Sequence, residues 1–195
     1  MLMRVNVKKR VLFTLAFFVI NLNILLAPCM AVTEETREKG LQEFIQMLEW
    51  REMYETVVNS IKRQEGFMDS MYYCPGGILT IGYGHAIKTS EFFNQPLTEA
   101  EADRLLRQDL DSAIAYVQKV TDLEHIQLLA MGHFVFNIGS GNFYRSTLRQ
   151  LIIADKPIDE EIIKWIHIKT NKGIFKSDWL LQSRKLELEL FKLET

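Results

Sequence analysis

The chain has 195 residues, 48% of them hydrophobic and 25% charged, a composition that can bury one modest core and excludes a disordered or fibrous protein. The formal charge is −2, but residues 1–31 hold four cations and no acid, so the rest of the chain carries −6. An acidic body excludes a binder held mainly through phosphates, which needs clustered Lys and Arg, so nucleic acid is not an expected partner.

Arg4, Lys8, Lys9 and Arg10 precede an apolar run from Val11 to Ala27, broken by Thr14, Asn21 and Asn23. This is the pattern of a secretory signal, and the small residues Cys29 and Ala31 suit cleavage after Ala31. The same run lies at the short limit of what crosses about 30 Å of hydrocarbon. A retained signal anchor, in transient membrane contact through residues 11–27, is therefore the competing reading. Leu26 to Cys29 also resembles a lipoprotein box, into which Pro28 fits poorly. All three readings export the body of the chain, to the periplasm or beyond. Residues 32–53 read as a helical extension and residues 54–195 as the working domain.

From Thr36 to Arg63, apolar residues recur at helical spacing through Leu41, Phe44, Ile45, Leu48, Tyr54, Val57, Val58 and Ile61, predicting one long helix or two short ones. Between Gly66 and Gly84 the pattern changes to aromatic and β-branched residues around Pro75, Gly76 and Gly77, which predicts a small β-hairpin. Thr98 and Glu101 form a capping box ahead of a helical face of Leu105, Leu106, Leu110, Ile114 and Val117. A further helix is expected from about Leu123 to Ile138, stopping at Gly139–Ser140–Gly141, and another begins at a Ser146 or Thr147 cap and runs to about Ala154. Helical periodicity returns over 159–168 and 177–193, with a loop around Asn171 and Gly173.

Chemistry concentrates near the predicted hairpin. Glu65 ends the first helical region; eight residues separate it from Cys74, and five more separate Cys74 from Thr80. A carboxyl facing two hairpin side chains suits acetal cleavage, in which one group protonates the leaving oxygen and another holds water on the opposite face of the sugar. Glu65 is the one carboxylic acid of the three. The negative end of the helix dipole and the neighbours Phe67, Tyr72 and Tyr73 disfavour its ionised form, as an acid at neutral pH requires.

Gln64-Glu65-Gly66, Tyr73-Cys74 and Thr80-Ile81-Gly82-Tyr83-Gly84-His85 closely resemble the phage-type lysozymes, the endolysin family of glycoside hydrolases. The likeness continues through Leu97 to Ala102, Phe136 to Phe143, Ser146 to Leu148 and Arg184 to Glu187, covering about residues 54–193 in order. The resemblance implies an α+β, lysozyme-like fold, mainly helical, with a small β-hairpin lobe and an active-site cleft between lobes. It implies hydrolysis of the β-1,4 bond between N-acetylmuramic acid and N-acetylglucosamine in peptidoglycan glycan strands, without metal or cofactor; the protein is expected to be a monomer. Carried over by position, Glu65 is the general acid, Cys74 stands where most members have an aspartate, and Thr80 matches the threonine that helps hold water. Phe136, Asn137 and Thr147 match positions near the saccharide; equally, Phe136 reads as core and Thr147 as a helix cap.

Cys74 changes the water side of the chemistry. A carboxylate of pKa about 4 is ionised at neutral pH, whereas an ordinary thiol at about 8.5 is mostly protonated and a poorer acceptor. Thiolate base, covalent nucleophile and passive neighbour of a Thr80-held water all stay open, and with them the product stereochemistry. If Cys29 is retained, a Cys29–Cys74 disulfide would cap the site. The readings from other classes are a non-catalytic peptidoglycan binder and a lytic transglycosylase. His85 reads as a structural ion-pair partner, His133 as an interior residue, and Trp165 and Trp179 as core more readily than as sugar platforms. Ser183 and Arg184 stand where the family has paired arginines.

Overall fold

A computed structural model describes residues 33–74, 77–170 and 173–193. The apolar run, Cys29 and any Cys29–Cys74 bond lie outside the described residues. Among those described, no helix is long and apolar enough to cross a membrane. The chain forms two compact units, Met1–Met53 and Tyr54–Thr195.

Helix α1 spans Glu34–Glu65 as one element, with Glu34 and Glu35 in its first turn and Lys62 and Arg63 in its last, charges that complement the helix dipole. Gly66, at φ +71°, takes the left-handed conformation that closes a helix. Its N–H donates to the Lys62 carbonyl at 3.1 Å, so the stop falls one residue after Glu65.

Strands β1 (Met68–Tyr73), β2 (Leu79–Gly82) and β3 (His85–Ala86) form an antiparallel sheet in that order. Tyr72 pairs with Thr80 and Tyr73 with Leu79, while a bulge interrupts the register between Met68 and Tyr72. The expected hairpin is thus present, with a third short strand added where Thr80 pairs with Ala86.

Helix α2 (Glu99–Val120) starts on Thr98, whose hydroxyl accepts from the Glu101 amide while the Glu101 carboxylate takes the Thr98 amide. Its buried face is Ala102, Leu106, Leu110, Ala113, Ile114 and Val117. It packs against α3 (His125–Ile138), which is buried almost all round from Ile126 to Val135. Gly132 permits the close approach, because a Cβ there would lie 2.3 Å from Ile114 Cγ1. Val57, Val58 and Ile61, late in α1, are fully buried, as are Leu106, Leu110 and Leu129. Surface pairs flank this core: Arg107 forks onto Glu55 at 2.8 and 3.0 Å, and Tyr54 donates to Asp111 at 2.7 Å.

Beyond Gly139 the expected stop is a short helix, α4 (Ser140–Tyr144), before α5 (Thr147–Ile153). The cap of α5 is Ser146, whose hydroxyl accepts from the Arg149 amide. The helix expected over 159–168 is shorter: α6 covers only Asp159–Ile162. The chain then forms a second hairpin of β4 (His167–Thr170) and β5 (Gly173–Lys176), where a loop was expected around Asn171 and Gly173. The β-branched residues Ile168, Thr170 and Ile174 suit extended backbone. Ser177 caps α7 (Asp178–Phe191), which packs on α3.

Candidate active site

The end of α1, the β1–β3 sheet, α2, the C-terminal end of α3 and the start of α7 enclose an open cleft of about 600 Å³. Glu65, Cys74 and Thr80 all line it, together with Phe136 and Asn137 from α3. Thr147 is the exposed first residue of α5 and is not among the lining residues.

Local folding sets each of the three side chains. Glu65 is the last residue of α1, and Gly84, at φ +87°, passes so close that a Cβ there would lie 3.2 Å from Glu65 Oε2. Only glycine combines that backbone conformation with room for the carboxyl. Surrounding protein holds the Glu65 carboxyl above its ordinary pKa, an effect partly opposed by the charge of His133. The helix stop leaves this carboxyl open to the cleft.

Cys74 follows β1 and is half-buried, its amide donating to the Ile78 carbonyl at 3.0 Å and its carbonyl accepting from Gly77 at 2.8 Å. These two bonds tie the end of β1 to the residues just before β2. Thr80, 3% exposed, donates its hydroxyl proton to the Ile78 carbonyl at 2.9 Å. With that proton committed, its oxygen is left as an acceptor.

Asn137 is engaged from behind: its Oδ1 accepts from Arg184 Nη2 at 2.8 Å, while its buried Nδ2 has no hydrogen-bond partner among the described residues. Arg184 Nη2 also donates to Glu187 Oε1 at 2.7 Å, and His133 Nδ1 lies 3.0 Å from that same oxygen. All three side chains are fully buried. Sequence reasoning missed this network; helical spacing of Arg184 and Glu187 was its one visible sign. Ser183, in the place of the family's first arginine, accepts from Gln64 Nε2 at 3.0 Å. Trp165 packs edge-on against Phe134, with centroids 5.7 Å apart at 80°, as a core residue would. Trp179 instead lines the cleft and is 39% exposed, against the core reading.

His85 is an ion-pair residue here. It is 5% exposed, with Nδ1 at 2.7 Å from Asp109 Oδ2 and Nε2 at 3.0 Å from Glu91 Oε2. The hydrogen bond to Asp109, then that to Glu91, outweigh burial and raise its pKa above the usual value. A histidine with a raised folded pKa gives stability that is fully present below the unfolded value of about 6.5 and is lost as pH rises through the folded value. Denaturant titrations should therefore show stability falling above about pH 6.5, with the fall removed in His85→Asn. An identical slope in the variant would contradict the pairing.

Comparison with known proteins bears on the family and the fold. The Phage lysozyme family model matches residues 62–185. The endolysin of Salmonella phage P22 is 32% identical over 142 residues, covering 69% of this chain and 93% of the relative. The endolysin of Bacillus phage B103 is also 32% identical, over 140 residues; the match covers 69% of this chain and about half, 51%, of that relative's length. Among solved structures, the muramidase domain of SpmX from Asticaccaulis excentricus superposes with a TM-score of 0.61 at 28% identity, covering 71% of this chain and 96% of that domain. With its fold and the greater part of its length matched in this way, the chain belongs to the phage lysozyme family of glycoside hydrolases.

Proposed function

We propose that this protein is an exported muramidase that hydrolyses the β-1,4 bond between N-acetylmuramic acid and N-acetylglucosamine, with Glu65 as general acid. The observation that carries the reading is the convergence of Glu65, Cys74 and Thr80 on one cleft, with the ionised form of Glu65 disfavoured. A protonated Glu65 gives its proton to the glycosidic oxygen as the bond to the anomeric carbon breaks. Water adds to the opposite face of that carbon, its hydrogen held by the Thr80 oxygen and its other side facing Cys74. The water's surplus proton passes to the Cys74 sulfur where that is a thiolate and otherwise to solvent through the open cleft, and the sulfur's share is decided by which of the two takes it.

Export rests on the amino-terminal pattern, and Phe136 and Asn137 are assigned to the saccharide side of the cleft. Asn137 acts with its Oδ1 already bound to Arg184. Thr147 keeps a place only in a contact with more distant glycan, since it lies outside the cleft lining.

The test is digestion of purified peptidoglycan followed by borohydride reduction of the products. New reducing ends on N-acetylmuramic acid support the reading. Reducing ends on N-acetylglucosamine, anhydro-sugars or uncut glycan would point respectively to another bond, to transglycosylation or to a binding protein. Substitution at the water side gives a second expectation. Cys74→Asp should preserve or raise turnover, because a carboxylate accepts a proton at neutral pH more readily than a neutral thiol. Cys74→Ser should lower turnover by about 10²-fold if sulfur acts as base. A dead aspartate variant beside an active cysteine parent would instead favour sulfur as the nucleophile.

A further inference from the structure

Trp179 stands in the first turn of α7 behind the Ser177 cap, which fixes where the helix begins. One turn later, Ser183 donates its hydroxyl proton to the Trp179 carbonyl at 3.2 Å and accepts from Gln64 at 3.0 Å. Gln64 is the immediate neighbour of Glu65. The Trp179 carbonyl is thus held by Ser183, which also grips the C-terminal end of α1, and Trp179, 39% exposed, forms part of the same cleft wall.

A tryptophan costs apolar exposure unless something covers it. Trp165 is half-buried and packs edge-on against Phe134; Trp179 opens to the cleft. The remaining lining is poor in charge that would hold a polymer, since Lys88 is the one cation among its described residues, against Glu65 and Asp109. Recognition here relies on ring faces and hydrogen bonds more than on charge. A pyranose offers a face of C–H groups that can stack on an indole while the ring hydroxyls stay hydrated or hydrogen-bonded.

We propose that Trp179 is a substrate-binding platform on which one N-acetylhexosamine ring of the glycan stacks, holding the strand beside Glu65. The assignment rests on the muramidase reading and deepens it: Trp179 sets how tightly the glycan is held, whereas Glu65 sets whether it is cut.

Two measurements on the full protein test it. In titrations with the tetramer of N-acetylglucosamine, wild-type indole fluorescence should change on binding, and Trp179→Phe should lose most of that change while Trp50 and Trp165 remain. In peptidoglycan digestion, Trp179→Ala should raise KM about tenfold, with a larger effect on KM than on kcat, and Trp179→Phe should recover most of the loss. A residue serving only to pack α7 would instead lower melting temperature and kcat together. A wild type that cleaves the wall but shows no fluorescence change with the tetramer, or a Trp179→Ala variant with unchanged KM, overturns the platform alone. A wild type that neither binds the tetramer nor cleaves glycan removes the muramidase reading, and the platform with it.

Discussion

Replacing Glu65 by glutamine is expected to cut peptidoglycan cleavage by about 10³-fold or more, the scale on which a positioned general acid contributes, and to leave the protein at least as stable at neutral pH. The two halves of this expectation come from one fact. Surrounding protein raises the Glu65 pKa in the folded state. A carboxyl shifted upward on folding opposes folding wherever it is ionised in the unfolded chain, so removing its charge relieves that opposition above the unfolded value. Glutamine keeps the shape and the contact with Gly84 but has no proton to give. An isosteric variant that lost both activity and stability would show that Glu65 holds the fold together and would weaken its role as acid. Glycan binding, through Trp179 and the α3 wall, should survive the change.

The largest expected effect on stability lies behind the cleft. Arg184 is fully buried, with its guanidinium 4.3 Å over the Phe134 ring and hydrogen bonds to Asn137 and Glu187. Arg184→Met would leave the Glu187 carboxylate buried beside His133 with its strongest partner gone. Stranding one member of a buried ionic network costs about 3–5 kcal/mol, to be read as a fall in the midpoint of equilibrium urea unfolding. The double variant Arg184→Met with Glu187→Leu should regain a large part of that loss, because replacing a whole buried pair by apolar side chains is often close to neutral. A single variant within about 1 kcal/mol of the parent would contradict a paired, dehydrated network. Asn137 couples the two regions, since it borders the cleft and accepts from Arg184. Loss of Arg184 should therefore also disturb glycan binding.

Much of this architecture is legible in residues that act locally. Thr98 and Glu101 announce the start of α2 because a capping box is complete within four residues. Gly66 marks the end of α1, since its left-handed backbone is a property of glycine itself. The three residues around the proposed reaction are near one another in sequence, and a helix end followed by a hairpin leaves few ways to arrange them.

What sequence conceals is decided by distant partners. Arg184 looks like a surface charge until α3 supplies Asn137, Phe134 and His133 around it. Trp179 looks like core because an aromatic in an amphipathic helix usually is; where it stands is set by α7 beginning just after the Ser177 cap, beside the cleft. The β4–β5 hairpin was hidden by a run of charged and apolar residues over 159–168 that fits a helix, although α6 ends at Ile162. Ser146 and Thr147 are adjacent and both able to cap, and only the bond from the Arg149 amide selects Ser146.

The most direct test of the central claim is digestion of peptidoglycan in water enriched in oxygen-18, with mass spectrometry of the fragments. Hydrolysis across the cleft by Glu65 and a Thr80-held water predicts one heavy oxygen on the anomeric carbon of each new N-acetylmuramic acid end, and its absence in the Glu65→Gln reaction. Fragments that carry no label, or that lack the added mass of water, would contradict it.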